Sequence, residues 1–313
     1  MHRPILILGA CGQIGTELTL ALRERFGNNR VIASDIREGS ELLMTSGPFE
    51  LLDATQYEAM ERMVVKYNIG EAYLMAAMLS AKAEKFPNRA WHLNINSLFN
   101  LLNLAKDKKV KKIFWPSSIA VFGPKTPKDH TPQTTIMDPT TVYGISKQTG
   151  ERWCSYYFEK HGVDIRSLRY PGLISWRTPP GGGTTDYAID IFHSALKHEE
   201  YSCFLKEDSR LPMMYMDDAI RATISIMECD PHKIRERSSY NIAAMSFTPY
   251  ELAQSIKNHI PDFKIKYKPD FRQAIADSWP NSIDDSRARE DWGWQSRYEL
   301  KKTTEEMLGN LRS

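Results

Sequence analysis

Ile5-Leu-Ile-Leu8 is an apolar run that ends at once in Gly9-Ala-Cys-Gly12-Gln-Ile-Gly15, and Leu18, Leu22 and Phe26 then recur at helical spacing. Strand, glycine turn and helix in that order leave few folds open, because this is how a dinucleotide-binding unit begins. The glycines let the backbone pass close to a pyrophosphate, and the helix N-terminus adds amide donors and the positive end of its dipole. Gly9, Gly12, Gln13, Ile14 and Gly15 are therefore expected to cradle a dinucleotide. The next predicted strand, 30–35, ends in Asp35, where a carboxylate would hold the adenosine ribose hydroxyls and repel a ribose phosphate. NAD is thereby favoured over NADP. Arg37 complicates this, because its guanidinium tolerates a phosphate; a capping role for Asp35 is the plainer alternative.

The alternation continues. Strands are predicted at 49–53, 71–77, 112–118 and 164–170, with helices through Tyr57, Met60, Val64 and Tyr67, from Asn94 onward, and over 143–161. That rhythm predicts an α/β fold, a Rossmann doubly wound parallel sheet. Asp53 then falls near the adenine, and Ala76 and Ala77 offer a small-residue approach to the cofactor. Beyond Pro171 the alternation weakens. Helices are expected from about Tyr187 to Leu196 (capped by the Thr184-Thr185-Asp186 segment), and over 217–228, 249–259 and 299–311, with strands near 239–243 and 263–267. The division expected is 1–172 for the NAD-binding Rossmann domain and 173–313 for a smaller, interwoven C-terminal α/β substrate lobe, some of whose elements return to the core.

Chemistry enters with Thr141-Val-Tyr143-Gly-Ile-Ser-Lys147. Residues four apart share a helical face, so the Lys147 ammonium is expected beside the Tyr143 phenol, drawing its pKa down towards a usable general base. Alone the spacing is common. Ser118 stands 25 residues upstream at the end of a predicted strand, and the three follow the dinucleotide turn in the order a hydride-transfer site requires. Tyr143 would exchange the hydroxyl proton, Ser118 would orient the substrate oxygen, and Lys147 would hold the ribose.

Gly9 to Gly15, Asp35, Asn94, Ser118 and Tyr143-x-x-x-Lys147 resemble the extended short-chain dehydrogenase/reductase family over nearly the full chain. Within it, Gly181-Gly-Gly-Thr-Thr-Asp-Tyr187, Leu211-Pro-Met-Met-Tyr215 and Ser278-Trp-Pro280 resemble the branch that oxidises the side-chain hydroxyl of L-threonine with NAD. The resemblance implies 2-amino-3-oxobutyrate as product, which loses carbon dioxide to give aminoacetone or is cleaved by a separate CoA-dependent ligase. It implies Ser80, Thr184, Thr185 and Trp279 in the amino-acid pocket, beside Ser118 and Tyr143. It adds Asn94, Tyr170 and Pro171 to the cofactor site, and a homodimer through the Tyr143 helix and the one from Asn94. Two positions depart from the pattern: Cys11 lies where Gly or Ala is commoner, and Ser118 where many relatives carry Thr.

Other readings stay open. The plainer alternatives are a capping role for Thr184 and Thr185 and a core role for Trp279. A nucleotide-sugar epimerase or dehydratase uses the same Ser/Tyr/Lys set, and Arg210 and Arg287 keep it in view. A dinucleotide sensor without chemistry typically lacks the tyrosine or lysine, both present here. The loop 179–183 is a candidate lid.

With 41 basic and 39 acidic residues and no block of one sign, neither nucleic acid nor an anionic membrane is suggested as a partner. Cys11, Cys154, Cys203 and Cys229 are scattered, and the eight histidines show no metal spacing, so no metal is expected. No run reaches the ~18 apolar residues of a membrane span. As written the chain reads as cytoplasmic; a mature mitochondrial-matrix form would read the same.

Overall fold

The computed structural model of the protein describes residues 3–179 and 181–312. Its centre is a six-stranded sheet made from β1 (Ile5–Leu8), β2 (Val31–Asp35), β3 (Phe49–Leu51), β4 (Glu71–Leu74), β5 (Lys112–Phe114) and β6 (Asp164–Arg166), in the order β3-β2-β1-β4-β5-β6 and parallel throughout. Every residue of β1 is buried, as expected of a parallel strand covered on both faces. Helices α1 (Gln13–Phe26), α2 (Tyr57–Lys66), α3 (Ser97–Lys106) and α4 (Val142–His161) make the main crossovers. The strand order reverses between β1 and β4, so a crevice opens beyond their C-terminal ends.

Two glycines bring β1 and α1 together. Gly9 has φ +87°, and a Cβ there would meet the Ala76 nitrogen at 2.4 Å. A Cβ on Gly15 would meet the Gly9 carbonyl oxygen at 2.1 Å. Any side chain at either position would push the turn away from the sheet.

Both long strands predicted near the site are broken. The stretch 112–118 divides into β5 and Ser117–Ser118, because Pro116 has no N–H to continue the ladder. The stretch 164–170 divides at Ser167 into β6 and Leu168–Tyr170. The second halves form a separate sheet in which Ser117 pairs with Arg169 and Ser118 with Tyr170, while Tyr240–Asn241 adds the far edge. The chain therefore turns out of the main sheet where Ser118 must be presented. The helix expected from Asn94 also needs correction: Asn94 lies inside a continuous run of Pro87–Trp91, the π-turn His92–Asn96, and α3.

The remaining elements interleave with the core. Leu211–Tyr215, entirely buried and not foreseen as a strand, lies between Gly172–Ile174 and Met245–Phe247. Met216–Glu228 returns to pack against α1. Tyr187–Leu196, Pro249–Lys257 and Leu300–Arg312 pack against one another around a second core. Among the described residues no helix is long and apolar enough to cross a membrane, and no three His, Cys, Asp or Glu side chains are grouped to hold a metal ion.

Candidate active site

The crevice is a cleft of about 590 Å³ running from the glycine turn to Trp279. At one end α1 starts at Gln13 with Gly12 as its N-cap, and no side chain caps it. A Cβ on Gly12 would meet only the Gly9 carbonyl, at 3.4 Å, so the space above the turn is open. The buried Gln13 Nε2 has no hydrogen-bond partner. Asp35 accepts the Cys11 amide on Oδ2 at 2.9 Å and the Ile36 amide on Oδ1 at 2.8 Å, which fixes its carboxylate beside the turn. An uncapped helix start, an open glycine surface, an unpartnered amide and a fixed carboxylate fit the pyrophosphate and ribose of a dinucleotide.

At the reacting end, Thr141 caps α4 by accepting the Gly144 amide at 3.0 Å, so Tyr143 and Lys147 occupy the first two turns. The Ser118 hydroxyl stands near enough to Tyr143 to favour the ionised phenol, while its Oγ accepts the Ala120 amide at 3.2 Å. The Lys147 ammonium donates to the Pro116 carbonyl at 2.5 Å and lies 5.5 Å from the centre of the Tyr143 ring and 4.5 Å from that of Trp115. The phenol is not drawn down as the four-residue spacing predicts. Burial pushes the Tyr143 phenol up to about 12, against a lowering by Ser118. Burial likewise draws Lys147 down to about 7, resisted by Cys154 and then Glu151. In the protein alone, desolvation outweighs the expected pull of the lysine on the phenol.

The far wall carries the substrate-side candidates. The Ser80 and Thr184 hydroxyls lie 3.1 Å apart, both residues buried; Thr185 and Trp279 line the same space. Trp279 is fixed through its carbonyl, which accepts from Lys128 Nζ at 2.9 Å. Asp186 was expected only within the cap of the helix Tyr187–Leu196. Its side chain instead turns back, accepting the Gly182 and Gly183 amides at 2.8 and 2.7 Å. Burial pushes this carboxyl up to about 6, with the two amides pulling the other way. Among the described residues Asp186 is the only acidic side chain lining the cleft. Pro180, within the candidate lid, lies outside the described residues; Gly181 and Gly183 line the cleft.

Comparison with known proteins follows the same lines. The profile of the NAD dependent epimerase/dehydratase family matches residues 5–243. The chain belongs to this family. A Staphylococcus saprophyticus protein described as an uncharacterized epimerase/dehydratase is 50% identical over 98% of this chain and 96% of its own. A partial consensus L-threonine 3-dehydrogenase of known structure is 59% identical, covers 99% of each chain and superposes with a TM-score of 0.97. The holo form of a GalE-like L-threonine dehydrogenase from Cupriavidus necator is 57% identical, with a TM-score of 0.96 over 98% of this chain and 99% of its own.

As a member of the NAD dependent epimerase/dehydratase family the protein is an NAD-dependent enzyme. Of the residues expected around NAD, Gly12, Gln13, Ile14, Gly15, Arg37, Ala77, Tyr143, Lys147, Tyr170 and Pro171 line the cleft. Gly9 and Ala76 lie behind it as the close contact that shapes the turn. Asp35, Asn94 and Asp53 do not line it; Asp35 stands beside the glycine turn, held by the Cys11 and Ile36 amides. Asn94 is buried, accepting the Met78 amide at 2.8 Å and donating to Ser146 Oγ at 3.1 Å, which ties the loop after β4 to α4. Asp53 is exposed and accepts from the amide and hydroxyl of Thr55. Arg210 is engaged by Ser246 and Glu251, and Arg287 by Glu236; neither lines the cleft. Met75, Met78, Lys82, Phe86, Arg89 and Leu93 do line it and were not foreseen, since a ragged loop and short helices carry them without a periodic signal.

Proposed function

We propose that the protein oxidises the side-chain hydroxyl of L-threonine with NAD, giving 2-amino-3-oxobutyrate. The observation that carries this reading is the arrangement of one cleft: Ser118 and Tyr143 at the reacting end face a wall holding the Ser80–Thr184 pair, Thr185 and the single acid, Asp186. Whole-chain likeness to proteins named as L-threonine dehydrogenases supports the same reading.

L-Threonine brings an ammonium, a carboxylate and a secondary alcohol. Among the described residues Asp186 is the one cleft-lining carboxylate for the ammonium, and the hydroxyls of Ser80, Thr184 and Thr185 are donors for the substrate carboxylate. Ser118 orients the alcohol, and Tyr143 takes its proton. Trp279 walls off the small side chain. Glycines 181–183, bound to Asp186 through two amides, sit where a lid over the amino acid would close.

When bound, NAD supplies the hydride acceptor and a positive charge beside the phenol. Ionising Tyr143 near neutral pH requires such charge, and Lys147 is the chain's own source of it. The glycine turn with Gln13 and Ile14 holds the pyrophosphate, and Asp35 holds the adenosine ribose. Residues 1–172 thus serve mainly the cofactor and 173–313 mainly the substrate. Arg210 and Arg287, the two arginines that kept a sugar nucleotide in view, are engaged elsewhere; Lys82 and Arg89 do line the cleft, so the assay with both substrates decides between the two readings.

The product of this step decarboxylates to aminoacetone or passes to a CoA-dependent ligase. A homodimer through α4 is consistent with the exposed Trp91, Ile145 and Tyr156, the last packed edge-on against Trp153; light scattering on the eluting protein distinguishes this from a monomer. The reaction itself is tested with L-threonine deuterated at the carbinol carbon. Deuterium should appear in the reduced cofactor while aminoacetone accumulates. Reduced cofactor without the label would contradict the assignment.

A further inference from the structure

We propose that Glu151, which does not line the cleft, is the positioning residue that holds Ser118, Tyr143 and Lys147 in register. The proposal rests on the assignment of those three as the reacting set. Glu151 lies on α4 eight residues after Tyr143 and four after Lys147, on the same helical face, with its side chain fully buried. Its Oε1 accepts from Ser117 Oγ at 2.6 Å and from Arg169 Nε at 2.8 Å, while Oε2 accepts from Arg169 Nη2 at 2.8 Å.

Those two partners sit opposite each other in the small sheet that leaves the main one after Pro116: Ser117 is paired with Arg169, and Ser118 with Tyr170. One carboxylate therefore joins the helix bearing Tyr143 and Lys147 to the strand that presents Ser118. It also joins that helix to the strand that delivers Tyr170 and Pro171 to the cleft. Arg169 extends the tie to the Gln133 carbonyl at 2.9 Å and to Asn241 Oδ1 at 3.0 Å. A buried, satisfied ionic network of this kind fixes one arrangement and leaves little freedom for slippage.

Glu151 also acts on Lys147 through its charge. The charged and titratable groups around that ammonium are Tyr143, Glu151 and Cys154 on its own helix and Arg169 on the neighbouring strand; Trp115 and the Pro116 carbonyl complete its surroundings. Removing the carboxylate charge lowers the lysine's affinity for its proton, and the buried Arg169, left without its partner, acts in the same direction. With less positive charge beside it, Tyr143 becomes harder to ionise.

Three variants separate position from charge. Ser117→Ala cuts the tie to the catalytic strand and leaves the ion pair in place. Glu151→Asp keeps the charge on a shorter arm, and Glu151→Gln removes the charge at nearly constant shape. Ser117→Ala and Glu151→Asp should lower kcat about three- to tenfold without moving the acid limb of the pH–rate profile, with NAD affinity within about twofold of wild type. Glu151→Gln should lower kcat further and move that limb to higher pH. In parallel, the Lys147 titration is followed by NMR of methyl-labelled lysines in the full-length protein, where its midpoint should fall in Glu151→Gln. Wild-type kcat and profile in both Ser117→Ala and Glu151→Gln, or an unmoved Lys147 titration, would overturn the proposal. Failure of the wild type to reduce NAD with L-threonine would instead contradict the proposed function, and the lysine titration still decides the role of Glu151.

Discussion

Ser80 and Thr184, 104 residues apart in the chain, bring their hydroxyls within 3.1 Å of each other in the wall of the cleft, with both residues buried. A pair of hydroxyls held this way can turn both protons outward to a carboxylate or share one between themselves. Hydrogen bonds to a charged group contribute about 1.5–3 kcal/mol each. Thr184→Ala is therefore predicted to raise the KM for L-threonine about tenfold or more while leaving the Kd for NAD unchanged. Steady-state kinetics with a separate NAD titration checks both halves.

Tyr143→Phe removes the proton acceptor without opening a cavity. Loss of general-base catalysis lowers rates by about 10²–10⁴-fold, so kcat should fall into that range with the thermal midpoint little altered. Turnover at the wild-type rate would remove Tyr143 from the mechanism.

Asp35 is held by two amides at the end of β2. Asp35→Ala deletes the ribose acceptor and its repulsion of a ribose phosphate. The Kd for NAD should rise, and the ratio of kcat/KM for NADP to that for NAD should increase. An unchanged preference would take Asp35 out of the cofactor site.

Asp186 makes a two-sided pH prediction. Burial raises its folded-state pKa from 3.8 to about 6, so between those values the folded protein holds more proton than the unfolded chain. The stability from this group is complete below the lower value and is lost as pH rises through the upper one. Activity runs the other way, since only the ionised carboxylate pairs with the threonine ammonium: kcat/KM should climb as pH passes about 6. Asp186→Asn should flatten both trends, with denaturant melts and kinetics read across that interval.

How far the sequence disclosed these features depended on locality. The glycine turn, Asp35 and the Tyr143/Lys147 pair each occupy one short segment: the turn follows β1, Asp35 ends β2, and the pair sits in the first turns of α4. Tertiary partners were harder to see. Glu151 follows Lys147 by one helical turn and reads as an ordinary surface acid until Ser117 and Arg169 arrive from two separate strands. Asp186 stands where helix caps stand, and only the fold of the preceding glycines turns its carboxylate away from the helix. Leu211–Tyr215 is buried on both faces, so it lacks the alternation that marks a half-exposed strand. The breaks after β5 and β6 have no local signature beyond Pro116, because its effect on pairing depends on a second sheet that no local pattern announces.

The most direct test of the account is the initial rate of NADH formation, followed by absorbance, with purified protein, NAD and either L-threonine or UDP-glucose. The account predicts NADH accumulating with L-threonine and no turnover of the sugar nucleotide. No NADH from L-threonine, together with epimerised or dehydrated sugar nucleotide, would contradict it.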